Sequence, residues 1–175
     1  FRRQDDFIES MYTQRIKQGY TGTLGDYLDS IPDGGFNWLT LTHAYEDMLG
    51  KENVVAKRYG KTYLPTRDSI LKDIVEFLEI SHSRLEFSTG NKHGTISNPG
   101  WPKDVVELTR ELNAYIPREQ RRSYIRGIER LAHKDPDERY KLLRHQERTA
   151  LMEKFRAPNR RLAIERFKGI DSVHC

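Results

Sequence analysis

The chain has 175 residues, 36% of them hydrophobic and 32% charged, and a formal net charge of +4. That length suits one domain, or most of one, with a core of its own. No run approaches the roughly 20 apolar residues that a membrane helix requires. The single Cys175 excludes an internal disulfide framework and favours a reducing, cytoplasmic compartment.

The first predicted element is an amphipathic helix. Phe7, Ile8, Met11, Tyr12 and Ile16 recur at three- and four-residue spacing, and Gly19 is placed to stop the helix after Lys17. Arg2 and Arg3 stand just ahead of it, and Ser10 falls on its second turn. An arginine before a helix and a hydroxyl on that helix can hold a phosphate jointly: the guanidinium offers a planar fork, the helix start its amides, the serine one more donor. The same pair also fits a solvated helix start.

Further along, Thr23 caps a short helix through Leu24, Tyr27 and Leu28, closed off by Pro32 and Gly34-Gly35. Asn37 opens a helix to Leu49, with Trp38, Leu41, Tyr45, Met48 and Leu49 as its apolar set and Gly50 as its C-cap. Residues 53–59 read as the one clear strand, short, β-rich and bounded by turn residues. Its sheet partners must come from outside this chain. Pro65 and Thr66 or Asp68 start the next helix, with Ile70, Leu71, Ile74, Val75, Phe77 and Leu78 inside. Residues 81–100 form a long loop rich in Ser, Thr, Gly, Asn and His, and loops of that length are functional or mobile.

The remainder reads as helical. Pro102 opens a helix with Val105, Val106, Leu108, Leu112 and Tyr115 inside. Pro117 opens another with Tyr124, Ile125, Ile128 and Leu131. Pro136 starts a third with Tyr140, Leu142, Leu143, Leu151, Met152 and Phe155, and Pro158-Asn159 precedes a last amphipathic piece with Leu162, Ala163, Ile164 and Phe167. Charge is uneven along the chain: from Arg118 to Lys168 there are 16 Lys or Arg against 8 Asp or Glu, so the rest is net acidic. A basic C-terminal third suits phosphate, sulfate or an anionic glycan, or else is a set of solvated helix faces.

The opening run resembles the 3'-phosphate-binding segment of sulfotransferases, in which an Arg ends a central strand and a Ser follows eight residues later on the next helix. Arg2 and Ser10 have that spacing, and Arg3-Gln4-Asp5-Asp6-Phe7 with Tyr12 is similar to the bacterial, carbohydrate-directed branch. Phe77-Leu78-Glu79-Ile80, before the long loop, and the closing pattern of a Phe, an Asn, an Arg, Leu-Ala and an aromatic also resemble that family. The resemblance implies an α/β fold of the P-loop sulfotransferase type, with this chain as its helix-rich C-terminal portion. It implies sulfuryl transfer from 3'-phosphoadenosine 5'-phosphosulfate to a hydroxyl, of a carbohydrate by preference. Arg2 and Ser10 would hold the nucleotide, with Asn91 and Ser97 near the donor and Lys92 and His93 facing negative charge on the acceptor. The strand end Arg58-Tyr59-Gly60 lacks the family's acidic residue.

Lys92-His93-Gly94-Thr95 is not the family's phosphosulfate loop, because it follows no strand and leads into Asn98-Pro99-Gly100 rather than a helix. That loop, with the general base and the phosphosulfate lysine, is expected upstream of Phe1, so no catalytic residue is named here. The six His are scattered without paired spacing or a Cys partner, which argues against a metal site. No Gly-x-Ser-x-Gly elbow exists. Two rivals to the enzyme remain: a non-catalytic helical interaction module, and a basic nucleic-acid-binding domain, the second weakened by the lack of any recognised module.

Overall fold

A computed structural model describes residues 1–60, 67–80, 101–132 and 141–167. Among these residues lie seven α-helices: α1 (Gln4–Lys17), α2 (Leu24–Asp29), α3 (Trp38–Leu49), α4 (Arg67–Phe77), α5 (Lys103–Leu112), α6 (Arg121–Ala132) and α7 (His145–Arg166). Helix α1 is the centre of the assembly and packs against α5 and α7, while α3 lies on α7.

The local signals that start and stop the early helices act as the sequence predicts. Gly19 takes φ +99°, its N–H bonds to Ile16 O at 2.9 Å, and Tyr20 N–H reaches Arg15 O at 2.9 Å. This is the paired Schellman bonding that a left-handed glycine permits. The Thr23 hydroxyl accepts from Asp26 N at 3.1 Å while the Asp26 carboxylate accepts from Thr23 N at 2.8 Å, a reciprocal capping box. Thr23→Ala is therefore expected to lower stability by about 1 kcal/mol in a denaturant melt; an unchanged midpoint would mean that α2 contributes nothing to the folded state. Asn37 caps α3 through its side chain, and Gly50 ends it at φ +87°.

The α/β expectation is overturned. No strand occurs among the described residues, and the protein is helical there. Lys51–Asn53 form one 3-10 turn, and 54–59 has no regular structure; its backbone bonds go to Phe1, and its side chains reach Asp73 and Phe167. The Phe1 ammonium donates to Lys57 O, and Tyr59 N–H donates to Phe1 O. Those two bonds at a single residue are too few for a ladder. Val55 is 52% exposed, so the run Val54-Val55-Ala56 is not sandwiched as a central parallel strand must be. Apolar β-branched residues permit a strand; sheet neighbours have to make one.

Several helices also turn a different face inward from the one their apolar spacing suggests. Helix α3 buries Trp38, Leu39 and Thr42, and leaves Leu41, Tyr45, Met48 and Leu49 exposed. It docks onto α7 through Trp38 and Leu39, which cluster with Leu162, and through two polar pairs: His43 Nε2 lies 2.9 Å from Glu165, and Glu46 pairs with Arg166. Helix α4 buries Val75 and exposes Ile74, Phe77 and Leu78. Helix α5 buries Val106 and Thr109 but leaves Leu108 exposed, and Tyr115 beyond it is 83% exposed. Finally, α7 begins at His145, with Leu142 and Leu143 buried just before it, and runs unbroken through Pro158 instead of restarting there. One backbone donor is lost at the proline. The next residue is clamped, since Asn159 and Gln4 exchange amide bonds of 2.7 and 3.0 Å.

The main core joins Ile8, Tyr12 and Ile16 of α1 to Trp101, Val106, Leu142, Leu143 and Leu151. A smaller aromatic cluster forms around Trp38 with Phe1, Phe7 and Phe36.

Candidate functional site

The aromatic cluster forms one side of a cavity of about 400 Å³ lined by Phe1, Arg2, Phe7, Ser10, Trp38 and Tyr59. Helix α1 supplies Phe7 and Ser10 from one face at i and i+3 spacing. Three constraints hold the rest in place. The Trp38 indole N–H donates to Arg2 O at 2.7 Å. The Phe1 ring stacks on Trp38 with centroids 5.5 Å apart and planes 21° apart, while Phe7 meets Trp38 edge-on at 5.2 Å. The backbone bonds between Phe1 and 57–59 fix the chain start beside Tyr59.

Arg2 and Ser10, the two residues singled out by their spacing, thus lie in one cavity. Among the described residues no acceptor meets the Arg2 guanidinium, and the Ser10 hydroxyl has no partner. Arg3 behaves differently. Its guanidinium forks onto Asp5 at 3.1 and 2.8 Å and is committed to α1 itself. Residues 1–3, ahead of α1, form no strand.

One expected contribution is reduced. Part of the α1 start is already engaged, since Asp5 Oδ1 takes the Asp6 N–H at 2.9 Å, Phe7 N–H bonds to Arg3 O at 3.0 Å, and two acids occupy the first turn. Those carboxylates repel an anion placed on the helix axis, so any phosphate here rests on the Arg2 and Ser10 side chains at the flank of α1. The aromatic walls supplied by Phe1, Phe7, Trp38 and Tyr59 were not foreseen as site residues; their only sequence signal was an aromatic residue among apolar ones. They give the cavity flat apolar surfaces beside one cation, which suits a planar, phosphate-bearing ligand.

Behind the cavity, α1 is locked by a buried ionic network. Arg148 of α7 donates to Asp5 at 2.6 Å, Asp6 at 3.0 Å and Glu9 at 2.7 Å. The other Glu9 oxygen accepts from Leu143 N at 2.7 Å. Burial pushes the Asp5 carboxyl up, but the hydrogen bonds from Arg3 and Arg148 outweigh it and hold the group below the usual carboxylate range. Burial likewise disfavours the Arg148 charge, and the bond to Asp5 with the field of Glu9 overcomes this and raises its pKa. The network leaves Arg2 as the cation nearest the chain start that no carboxylate neutralises among the described residues.

Asn91, Lys92, His93 and Ser97 lie outside the described residues. No group of His, Cys, Asp and Glu that could hold a metal occurs among the described residues, and no helix there is long and apolar enough to cross a membrane. No family model, curated protein or solved structure matches the chain.

Proposed function

We propose that the Arg2–Ser10 cavity binds the 3'-phosphate end of an adenosine nucleotide, and that the protein takes part in sulfuryl transfer from 3'-phosphoadenosine 5'-phosphosulfate to a hydroxyl, in the first instance of a carbohydrate. The observation that carries this reading is the joint presence, in one aromatic-walled cavity, of an unneutralised guanidinium and an unpartnered hydroxyl eight residues apart. The reading stands on that cavity and the spacing alone, not on a nucleotide-binding fold. In such a reaction the S–O bond to the nucleotide phosphate breaks as the acceptor oxygen bonds to sulfur and loses its proton. Charge passes to the departing phosphate oxygen, so in-line positioning and cationic stabilisation do the work. Arg2 would anchor the nucleotide through a forked charge-assisted contact, Ser10 through one hydrogen bond, and Trp38 or Tyr59 through a ring face. Their roles are positional, and none is assigned to proton transfer.

Calorimetry with 3',5'-adenosine bisphosphate tests this. Arg2→Ala is expected to weaken binding by about 2 kcal/mol and Ser10→Ala by about 1, because a charge-assisted bond is roughly twice a neutral one. Arg3→Ala, whose side chain serves Asp5, should change affinity little. Adenosine 5'-phosphate should bind the wild type and the Arg2 variant almost equally. Equal losses at Arg2 and Arg3, or no preference for the 3'-phosphate, would make the eight-residue spacing a coincidence.

A second reading rests on a separate observation. The exposed stripe Leu41, Tyr45, Met48 and Leu49 on α3 is what a non-catalytic helical interaction module would present. Absence of nucleotide binding in the same titration would favour that reading.

A further inference from the structure

A second cavity, of about 760 Å³, opens near the other end of α1 and shares no lining residue with the first. Arg118, Arg121, Arg122 and Arg126 line it, together with Lys17 and Glu129. Glu129 is the only carboxylate among these, and it is spent on Lys17, whose Nζ lies 2.9 Å away and 4.5 Å above the Trp101 ring. The four guanidinium groups meet no carboxylate among the described residues. The Nε of Arg121 is buried without an acceptor, and its guanidinium packs so closely on Gly19 that a Cβ there would fall 2.3 Å from Nη1.

The placement of these charges is electrostatically unfavourable. Arg121 and Arg122 occupy the first turn of α6, which holds no acid, and the positive end of the helix dipole disfavours cations there. Arg118, Arg122 and Arg126 are exposed and Arg121 is half-buried, and Arg122 and Arg126, at i and i+4, repel each other as well. Some Arg side chains elsewhere are neutralised, Arg148 by three carboxylates, Arg161 by Glu165 at 2.7 Å and Arg156 by Glu153 at 3.1 Å, whereas single ones such as Arg2 are not; here four lie together. A bound anion would relieve both costs at once.

The geometry also restricts the anion. Guanidinium forks match the paired oxygens of phosphate and sulfate. Arg122 and Arg126 are one turn apart, about 6 Å along the helix axis, with Arg118 and Arg121 beyond them. That spacing suits two neighbouring oxyanion groups better than one. We propose that this cavity is a binding site for a small ligand carrying two adjacent oxyanion groups, either a diphosphate or a disulfated sugar. The site is independent of the nucleotide reading.

Titration calorimetry with inorganic pyrophosphate, a disulfated disaccharide and orthophosphate tests it, and the tighter of the first two identifies the source of the oxyanions. Either should bind at least about tenfold more tightly than orthophosphate, since the second group adds another set of charge-assisted bonds. Arg122→Gln combined with Arg126→Gln should weaken that binding by more than about tenfold, whereas Arg156→Gln with Arg160→Gln, the same charge change elsewhere, should alter it less than about twofold. Without ligand, the Arg122/Arg126 variant should melt no lower than the wild type, because it removes cations from the start of α6. Arg2→Ala should leave pyrophosphate binding unchanged, so failure here and failure of the nucleotide reading are separable. Equal loss in the two double variants would overturn the proposal. So would orthophosphate binding as tightly as pyrophosphate, or a single-stranded oligonucleotide outcompeting both with affinity that rises with its length, the mark of a nucleic-acid surface.

Discussion

Arg148→Ala is expected to destabilise the protein by about 3–5 kcal/mol, the largest effect of any exposed-face or ionic substitution in this fold. The side chains of Asp5 and Glu9 are 0% and 4% exposed, and the substitution leaves both in the interior without their cation. The loss compares two states of the protein and does not mean that the ion pairs contribute that much relative to apolar residues. Adding Asp5→Asn and Glu9→Gln to the Arg148 variant should therefore recover part of the stability. Arg156→Ala, which breaks the exposed pair with Glu153, should change stability by no more than about 0.5 kcal/mol. Urea unfolding followed by circular dichroism is the measurement, and a loss below about 1 kcal/mol for Arg148→Ala would show that the network does not hold α1 to α7.

The same network sets a pH dependence. The Asp5 pKa is lower in the folded protein than in the unfolded chain. Its contribution is then fully present above the unfolded carboxylate pKa and lost as pH falls through the folded one. Stability should fall on acidification below the ordinary Asp range, and the fall should be shallower in Asp5→Asn.

Trp38→Ala should lower stability by about 3–5 kcal/mol, as expected for removing a buried indole that cannot be replaced by local collapse. Trp38 is the shared contact of Phe1, Phe7 and Phe36, and its N–H holds the Arg2 carbonyl. Trp38→Phe separates the two functions. It keeps a ring in the cluster and deletes the bond to Arg2, so it should cost about 1–2 kcal/mol while weakening 3',5'-adenosine bisphosphate binding through loss of Arg2 positioning. Binding that survives Trp38→Phe intact would mean that Arg2 is not positioned by the indole. If Trp38→Ala melts within about 1 kcal/mol of the wild type, the aromatic cluster is peripheral to the fold.

Caps, stops and the eight-residue spacing of Arg2 and Ser10 were legible in the sequence alone, because each depends on residues a few positions apart. The Thr23–Asp26 box, the Asn37 cap and the left-handed Gly19 are local hydrogen-bonding problems with one good solution. A spacing of eight puts Ser10 on the α1 face nearest the residue two places before that helix. The apolar face of α1 was legible as well, since Ile8, Tyr12 and Ile16 are buried, but which face α3 and α4 bury was decided only by the tertiary structure. Nothing in the spacing of Asp5 and Glu9 marks them for burial, yet both are buried, because a guanidinium 143 and 139 residues away arrives to pair with them. Met48 reads as core and is 78% exposed, because α3 docks through Trp38, Leu39, His43 and Glu46 instead. Residues 53–59 have strand propensity and form no strand, since pairing is a property of neighbours and the described residues supply only Phe1. Short-range chemistry is written in spacing; the choice among competing helix faces belongs to partners more than a hundred residues away, and no periodicity within one helix contains them.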